Sequence, residues 1–219
     1  MKKAIVLLSG GLDSAAVLYL AKKEGFSCSC LIFDYGQRHK REIESARRIA
    51  ASAGCRAKVL KIPFPREGSS LLGKQREVPL TRKGKGDIPS TYVPARNIIF
   101  LSLALSYAEA SGAGTIFIGA HSQDYSGYPD CRPQFYRIFQ RLAACGTKSG
   151  VEGRGVKIRA PFLNRGKASI IRTGISLGVP FHLSWSCYKG GLRPCGKCES
   201  CYFRAKGFKE AGVKDPLDL

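Results

Sequence analysis

What the sequence lacks narrows the possibilities first. No apolar run approaches the roughly 20 residues needed to cross a bilayer; the longest, such as residues 98–105, stop far short. The opening Met1-Lys2-Lys3-Ala4-Ile5-Val6-Leu7-Leu8 has a charged start, but its apolar part is short and leads to Asp13 rather than to a cleavage site. No secretory leader is expected. The reading is a soluble, cytoplasmic protein with no membrane partner. No internal repeat is visible, and no Gly-Lys-Ser/Thr closes a Walker loop. Acid is scarce: 16 Asp and Glu against 36 Lys and Arg leave a net charge of +20. The balance of apolar and charged residues is ordinary and excludes disorder as a class. At 219 residues the chain is one domain, or one domain with a small appendage, and can bury a core without disulfides.

Apolar runs and helical spacings alternate. Strands are expected over residues 3–8, 28–33, 58–62, 115–119 and 156–159, and helices over 13–23, 40–53, 98–110, 132–145 and 167–177. Such alternation predicts an α/β fold, a doubly wound parallel sheet with helices on both faces. Ligands bind beyond the carboxyl ends of such strands, where Ser9-Gly10-Gly11, Asp34-Tyr35-Gly36 and Gly119-Ala120-His121 fall. Residues 63–90 read as a long loop of the kind that forms lids. The regular pattern stops after Pro180, so the expected domains are 1–182 and a small C-terminal module, 183–219.

Ser9-Gly10-Gly11-Leu12-Asp13-Ser14 lies between the first strand and the first helix. Two glycines let the backbone approach an oxyanion, and the helix start supplies N–H groups and partial positive charge. The Ser9 and Ser14 hydroxyls are candidate phosphate donors; Asp13 either caps the helix or holds a bridging Mg²⁺.

Nine cysteines are present, an odd number, and four of them, Cys187, Cys195, Cys198 and Cys201, fall within fifteen positions. The spacing C-x7-C-x2-C-x2-C suits a closed tetrahedral Zn²⁺ site of structural type, with an iron–sulfur cluster as its rival. Lys189, Arg193, Lys197 and Arg204 are expected to favour thiolates there. Cys28, Cys30, Cys55 and Cys145 read as core, and Cys131 as packing rather than a persulfide carrier. Trp185 is expected beneath the metal module, and His39, His121 and His182 are read as structural.

Asp124-Tyr125-Ser126-Gly127-Tyr128-Pro129-Asp130-Cys131-Arg132 follows the fourth strand. A guanine-like edge offers two adjacent N–H donors that one carboxylate accepts as a pair, and a phenol can stack on the ring. Asp124 or Asp130 is the candidate acceptor, and Tyr125 or Tyr128 the stacking surface.

The Ser-Gly-Gly-x-Asp-Ser string resembles the phosphate loop of the N-type ATP pyrophosphatases. The 124–132 stretch is similar to the signature of one family among them, the 7-cyano-7-deazaguanine synthases of queuosine biosynthesis. Phe33-Asp34-Tyr35-Gly36-Gln37-Arg38-His39, Tyr92-Val93-Pro94-Ala95-Arg96-Asn97, Trp185-Ser186-Cys187 and Arg193-Pro194-Cys195-Gly196-Lys197-Cys198 extend the resemblance over nearly the whole chain. It departs at Ala95, where the family has Gly; a methyl group is tolerated there unless the position needs positive φ.

The resemblance implies a fold like that of the adenine nucleotide α-hydrolases (the HUP class). It also implies an ATP-dependent C–N ligase joining 7-carboxy-7-deazaguanine and ammonia into the nitrile through an adenylylated carboxylate and an amide. It places ATP on the backbone from Leu8 through Ser9, Gly10, Gly11, Leu12, Asp13 and Ser14, with Asp13, Ser14 and Arg96 catalytic and Mg²⁺ on Asp13. Asp124, Tyr125, Ser126, Tyr128, Asp130 and Arg132 are assigned to the substrate, with Lys167 a second cation beside Arg96. A homodimer is implied. The rival readings are a pyrophosphatase that adenylylates or thiolates a base within tRNA, and a nucleotide-binding partner without catalysis. Residues 132–172 hold ten Lys and Arg and one acid, a stripe an RNA binder would show. The implied substrate is a free base, so no nucleic-acid partner is expected.

Overall fold

The computed structural model describes residues 1–38, 40–65, 67–72, 88–121 and 127–218. Most of the expected 63–90 loop, and Asp124, Tyr125 and Ser126, lie outside them. Among the described residues no helix is long and apolar enough to cross a membrane.

Alternation becomes structure in the order β1 (Lys2–Leu7), α1 (Leu12–Lys23), β2 (Phe26–Asp34), α2 (Arg41–Ser52), β3 (Arg56–Lys61), α3 (Arg96–Ser111) and β4 (Thr115–Phe117). Then come α4 (Pro133–Gly146), α5 (Lys148–Val151), β5 (Lys157–Arg159), α6 (Lys167–Ser176) and α7 (Glu199–Ala211). The five strands run parallel in the order β3-β2-β1-β4-β5, with Leu7 beside Leu31 and Val6 beside Phe117. The doubly wound sheet is as the sequence predicts.

Successive side chains of a strand point to opposite faces, and β1 uses both. Ala4, Val6 and Leu8 join a core with α1, α2, α6 and Phe208 of α7. Ile5 and Leu7 join a second core with α3 and α4. A strand buried on both sides needs a continuous apolar run, which is why β1 shows no alternation in sequence. The chain winds from β1 to β3, then crosses to β4 on the other flank of β1. The order therefore reverses between β1 and β4, and the crevice opens at their carboxyl ends. Gly119, just past β4, closes this crevice tightly: a Cβ there would lie 2.9 Å from the Ser14 backbone nitrogen.

The sequence pattern missed the short α5 and the longer α7. The buried residues of α7 are Cys201, Arg204, Gly207 and Phe208, so the inward face carries little apolar signal. Arg204 pairs with Asp215 through two hydrogen bonds (Nε 2.8 Å, Nη2 2.9 Å) and reaches Ser184 Oγ at 2.8 Å. It belongs to this fully bonded buried pair rather than serving the cysteines, which corrects the sequence expectation. Gly207 lets α7 close on α6, since a Cβ there would sit 2.4 Å from Lys167 Cγ. Of the cysteines read as core, Cys30 is buried, Cys28 and Cys55 are half-buried, and Cys145 is exposed at the end of α4.

Candidate active site

Beyond β1 the phosphate loop is held by its own serines. Ser14 Oγ donates to the Gly11 carbonyl at 3.1 Å and accepts the Ser9 N–H at 3.2 Å, while Ser9 Oγ accepts the Gly11 N–H at 3.3 Å. Ser14 is buried, and its one proton is directed at the loop in this arrangement. Gly10 has φ +85°, and a Cβ on it would lie 2.1 Å from the Glu42 carbonyl oxygen. Only glycine lets the loop pass the first turn of α2. Gly11 is the N-cap of α1 in extended conformation, with no side-chain acceptor on the helix start. Those first N–H groups and the helix dipole face the crevice, an anion site built from backbone.

Asp13, in the first turn of α1, does not cap the helix. Its two oxygens accept from Lys167 Nζ at 2.9 and 2.7 Å. His121, just past β4, places Nε2 2.8 Å from Lys167 Nζ and 3.6 Å from Asp13. Burial would raise the Asp13 carboxyl, but Lys167 and then His121 outweigh it and hold it below its ordinary value. Lys167 is the first residue of α6. The β1, β4 and α6 connections thus bring one carboxylate, one ammonium and one imidazole to a single point.

The start of α3 forms the opposite wall. Asp130 Oδ2 accepts the Asn97 N–H at 3.0 Å, and Asn97 Nδ2 donates to the Asp130 carbonyl at 3.2 Å. This buried carboxylate caps α3 from a distant segment. Ala95, the N-cap, has φ 55° and ψ 19°, so the departure from the family's Gly falls at a position that does adopt positive φ. Arg96 Cζ lies 5.9 Å from the Tyr35 ring centroid. Burial works against its charge, but Tyr35, Cys131, Asp130 and Tyr128 keep it cationic. Beside it, burial pushes the Glu42 carboxyl up to about 7, against the pull of Arg96 and a hydrogen bond from Gln37.

Two adjoining lobes make the cleft. The larger, about 270 Å³, is lined on its apolar side by Ile32, Phe33, Phe100 and Ile118; Phe33 and Phe100 stack with centroids 4.0 Å apart. The smaller, about 200 Å³, is polar and holds His121, Lys167 and Trp185. Ser9, Asp13, Glu42, Tyr128 and Tyr188 border both. Of the residues assigned to substrate, Tyr128 faces the cleft, Asp130 is turned to α3, and Arg132 is exposed at the N-cap of α4. Asp124, Tyr125 and Ser126 lie outside the described residues. Glu42, His121 and Tyr188 were not read as site residues. The signal for Glu42 was weak: it follows the quoted 33–39 motif by three positions and looks like any acid in a first helical turn.

The cysteine segment completes the wall. The Cys187, Cys195, Cys198 and Cys201 sulfurs all lie within 4.8 Å of one another. The Lys189 and Cys195 backbone N–H groups point at Cys187 Sγ, at 3.4 and 3.3 Å. The Cys198 and Cys201 side chains, then these amides, pull Cys187 toward thiolate. Cys198 is the N-cap of α7 and Cys201 lies in its first turn, where the helix dipole favours thiolates. An all-sulfur donor set of four, without imidazole or carboxylate, fits a closed structural metal site. The segment is tied to the phosphate loop: the Trp185 N–H donates to the Gly10 carbonyl at 2.9 Å, and Trp185 Nε1 donates to the Cys187 carbonyl at 2.9 Å. Arg41 of α2 stacks over the indole at 4.8 Å and donates to the Leu192 carbonyl at 3.0 Å.

The family model described as "Queuosine biosynthesis protein QueC" matches residues 3–212. The chain belongs to this family. Among curated members of the QueC family, the chain is 52% identical to "7-cyano-7-deazaguanine synthase" of Pseudomonas putida strain W619, over 98% of this chain and 97% of that one. It is 51% identical to "7-cyano-7-deazaguanine synthase 2" of Desulfitobacterium hafniense strain Y51, over 100% of this chain and 93% of that one. A distant likeness is to the solved "U34-tRNA thiolase NcsA from Methanococcus maripaludis with its [4Fe-4S] cluster", at 16% identity and TM-score 0.49, covering 99% of this chain and 66% of that one. Of the stretches that carried the sequence resemblance, Phe33, Tyr35, Gln37, Arg96, Tyr128 and Trp185 line the cleft in this QueC-family chain, while residues 193–198 do not.

Proposed function

We propose that this QueC-family chain makes 7-cyano-7-deazaguanine from 7-carboxy-7-deazaguanine, ammonia and ATP. The observation that carries the reading is the phosphate loop opening onto a two-lobed cleft, in a chain whose relatives bear that enzyme's name. Ammonia does not displace oxide from a carboxylate. Attack of the carboxylate oxygen on the α-phosphorus of ATP releases pyrophosphate and gives an acyl adenylate. Ammonia then displaces AMP to give the amide. A second adenylylation at the amide oxygen lets AMP depart as the C≡N bond forms.

The chain's part is positioning and charge stabilisation. The loop amides and the α1 start receive the phosphates, and the apolar lobe takes a flat ring between Phe33 and Ile118. Lys167 and Arg96 neutralise phosphate and carboxylate, and Ser14 keeps the loop in shape. Asp13 would hold Mg²⁺ once Lys167 turns to the phosphates, and the ion would supply charge neutralisation there. The four cysteines would hold zinc, whose chemistry there is structural. Tyr128 supports the ring; Asp124, Tyr125, Ser126 and Arg132 remain assigned to substrate, while Asp130 shapes the site through α3. A cytoplasmic homodimer is part of the proposal, checked by sedimentation.

The test is incubation with ATP, Mg²⁺, ammonium and the carboxylated deazaguanine, following the nitrile by mass. Turnover without RNA is expected. ATP consumption only in the presence of tRNA would transfer the reading to the RNA-modifying alternative.

A further inference from the structure

In the proposed reaction all three N–H bonds of ammonia break on the way to the nitrile. One proton leaves when nitrogen displaces AMP from the acyl adenylate, and two more leave as the amide becomes C≡N. A group in the cleft must take each proton in turn and return it to solvent.

Most of the ionisable groups there are unsuited. Both Asp13 oxygens accept from Lys167, and the pair holds that carboxyl in its charged form. Lys167 Nζ and His121 Nε2 lie 2.8 Å apart and already share a hydrogen bond. Arg96 stays cationic, and burial pushes Tyr35 up to about 12.

Glu42 differs. Its carboxylate borders both lobes, on the seam it shares with Ser9 and Asp13. Its backbone is fixed against the phosphate loop, because Gly10 passes its carbonyl with no room for a side chain. The groups that act on its carboxylate are Arg96 of α3, and Gln37 and Tyr35 after β2; Arg38, Asp13, Tyr128 and Tyr188 line the same cleft. One carboxylate among buried neighbours, at the seam of the cleft with Arg96 beside it and a hydrogen bond from Gln37, is arranged to gain and lose a proton near neutrality. We infer that Glu42 is the general base of this site, taking the proton from ammonia as the amide forms and from the amide nitrogen as the nitrile forms. This inference rests on the synthase reading.

The experiment compares wild type, Glu42→Gln and Glu42→Asp, with the carboxylate plus ammonium and separately with the isolated amide, each with ATP and Mg²⁺. Wild-type kcat should rise through a single ionisation near neutrality. Glu42→Gln should lose that step and about a hundredfold or more in kcat on both substrates, with KM for ATP nearly unchanged and no loss of thermal stability. Glu42→Asp should recover part of the rate together with the pH step, which a merely structural residue would not return. Carboxylate-dependent pyrophosphate release in a single turnover should survive in Glu42→Gln, because adenylylation precedes proton loss. A Glu42→Gln enzyme that keeps the pH step, or stays within about threefold of wild type in kcat, overturns the inference while leaving the synthase reading intact. Wild type that makes no nitrile from either substrate overturns both.

Discussion

A single methyl group sits at one strained point of the backbone. Ala95 holds φ 55°, a region that costs an L-residue with a Cβ roughly 1–2 kcal/mol. Glycine would remove that cost but gain freedom in the unfolded chain, worth about 0.4–1 kcal/mol in the opposite direction. Ala95→Gly is therefore expected to stabilise the protein by about 0.5–1 kcal/mol, a rise of about 1–4 °C in Tm by calorimetry, with unchanged turnover. The sequence flagged the position; only the backbone angle decided its sign. Glu42 gives a second residue-level expectation. Its carboxyl has an ordinary value of 4.5 and is pushed to about 7 in the fold. The folded chain then holds the proton more tightly than the unfolded one, so this group favours folding at low pH, and stability declines as pH climbs between those values. Glu42→Gln should match wild type in acid and melt higher than wild type above neutrality. Asp130 shows what residue type leaves out: a carboxylate in a motif is a candidate to read a ring edge, and here one of its oxygens also accepts the Asn97 N–H at 3.0 Å.

Elements were legible where periodicity matched burial. β1 and α1 read plainly because a strand buried on both faces and a helix with Ala15, Ala16, Val17, Leu18 and Ala21 all buried leave long apolar tracts. α7 did not, because its inward face presents a cysteine, a paired arginine and a glycine. That glycine carries an element-scale prediction. In Gly207→Ala the new Cβ would meet Lys167 Cγ at 2.4 Å and Ile171 Cδ1 at 2.9 Å. α7 would have to retreat, at a cost of roughly 1–3 kcal/mol. The Lys167 stem would shift, loosening its hold on Asp13. Lower Tm and lower kcat together are expected, although residue 207 borders neither lobe of the cleft. Neither the spacing of Lys167 nor that of His121 in sequence reveals their meeting with Asp13, since that contact depends on which strands flank β1.

At the scale of the whole molecule, the cysteine segment and the α/β body share one wall. The four-cysteine spacing was readable because few other chemistries crowd thiols so densely. Its attachment to Gly10 was not, being a backbone hydrogen bond between residues 175 positions apart. With a metal on the four cysteines as proposed, chelation or Cys198→Ser should lower bound metal by elemental analysis and abolish nitrile formation together. Loss of metal with full turnover would detach the two. The joint between them has a practical consequence. The chain has a single tryptophan, and it is the residue at this joint, buried under the Arg41 guanidinium and bonded at one end to the nucleotide turn. Selectively excited tryptophan emission from the unlabelled protein therefore arises from one spot. Quenching or a spectral shift on adding nucleotide or chelator would time both events in a stopped-flow trace, without any dye.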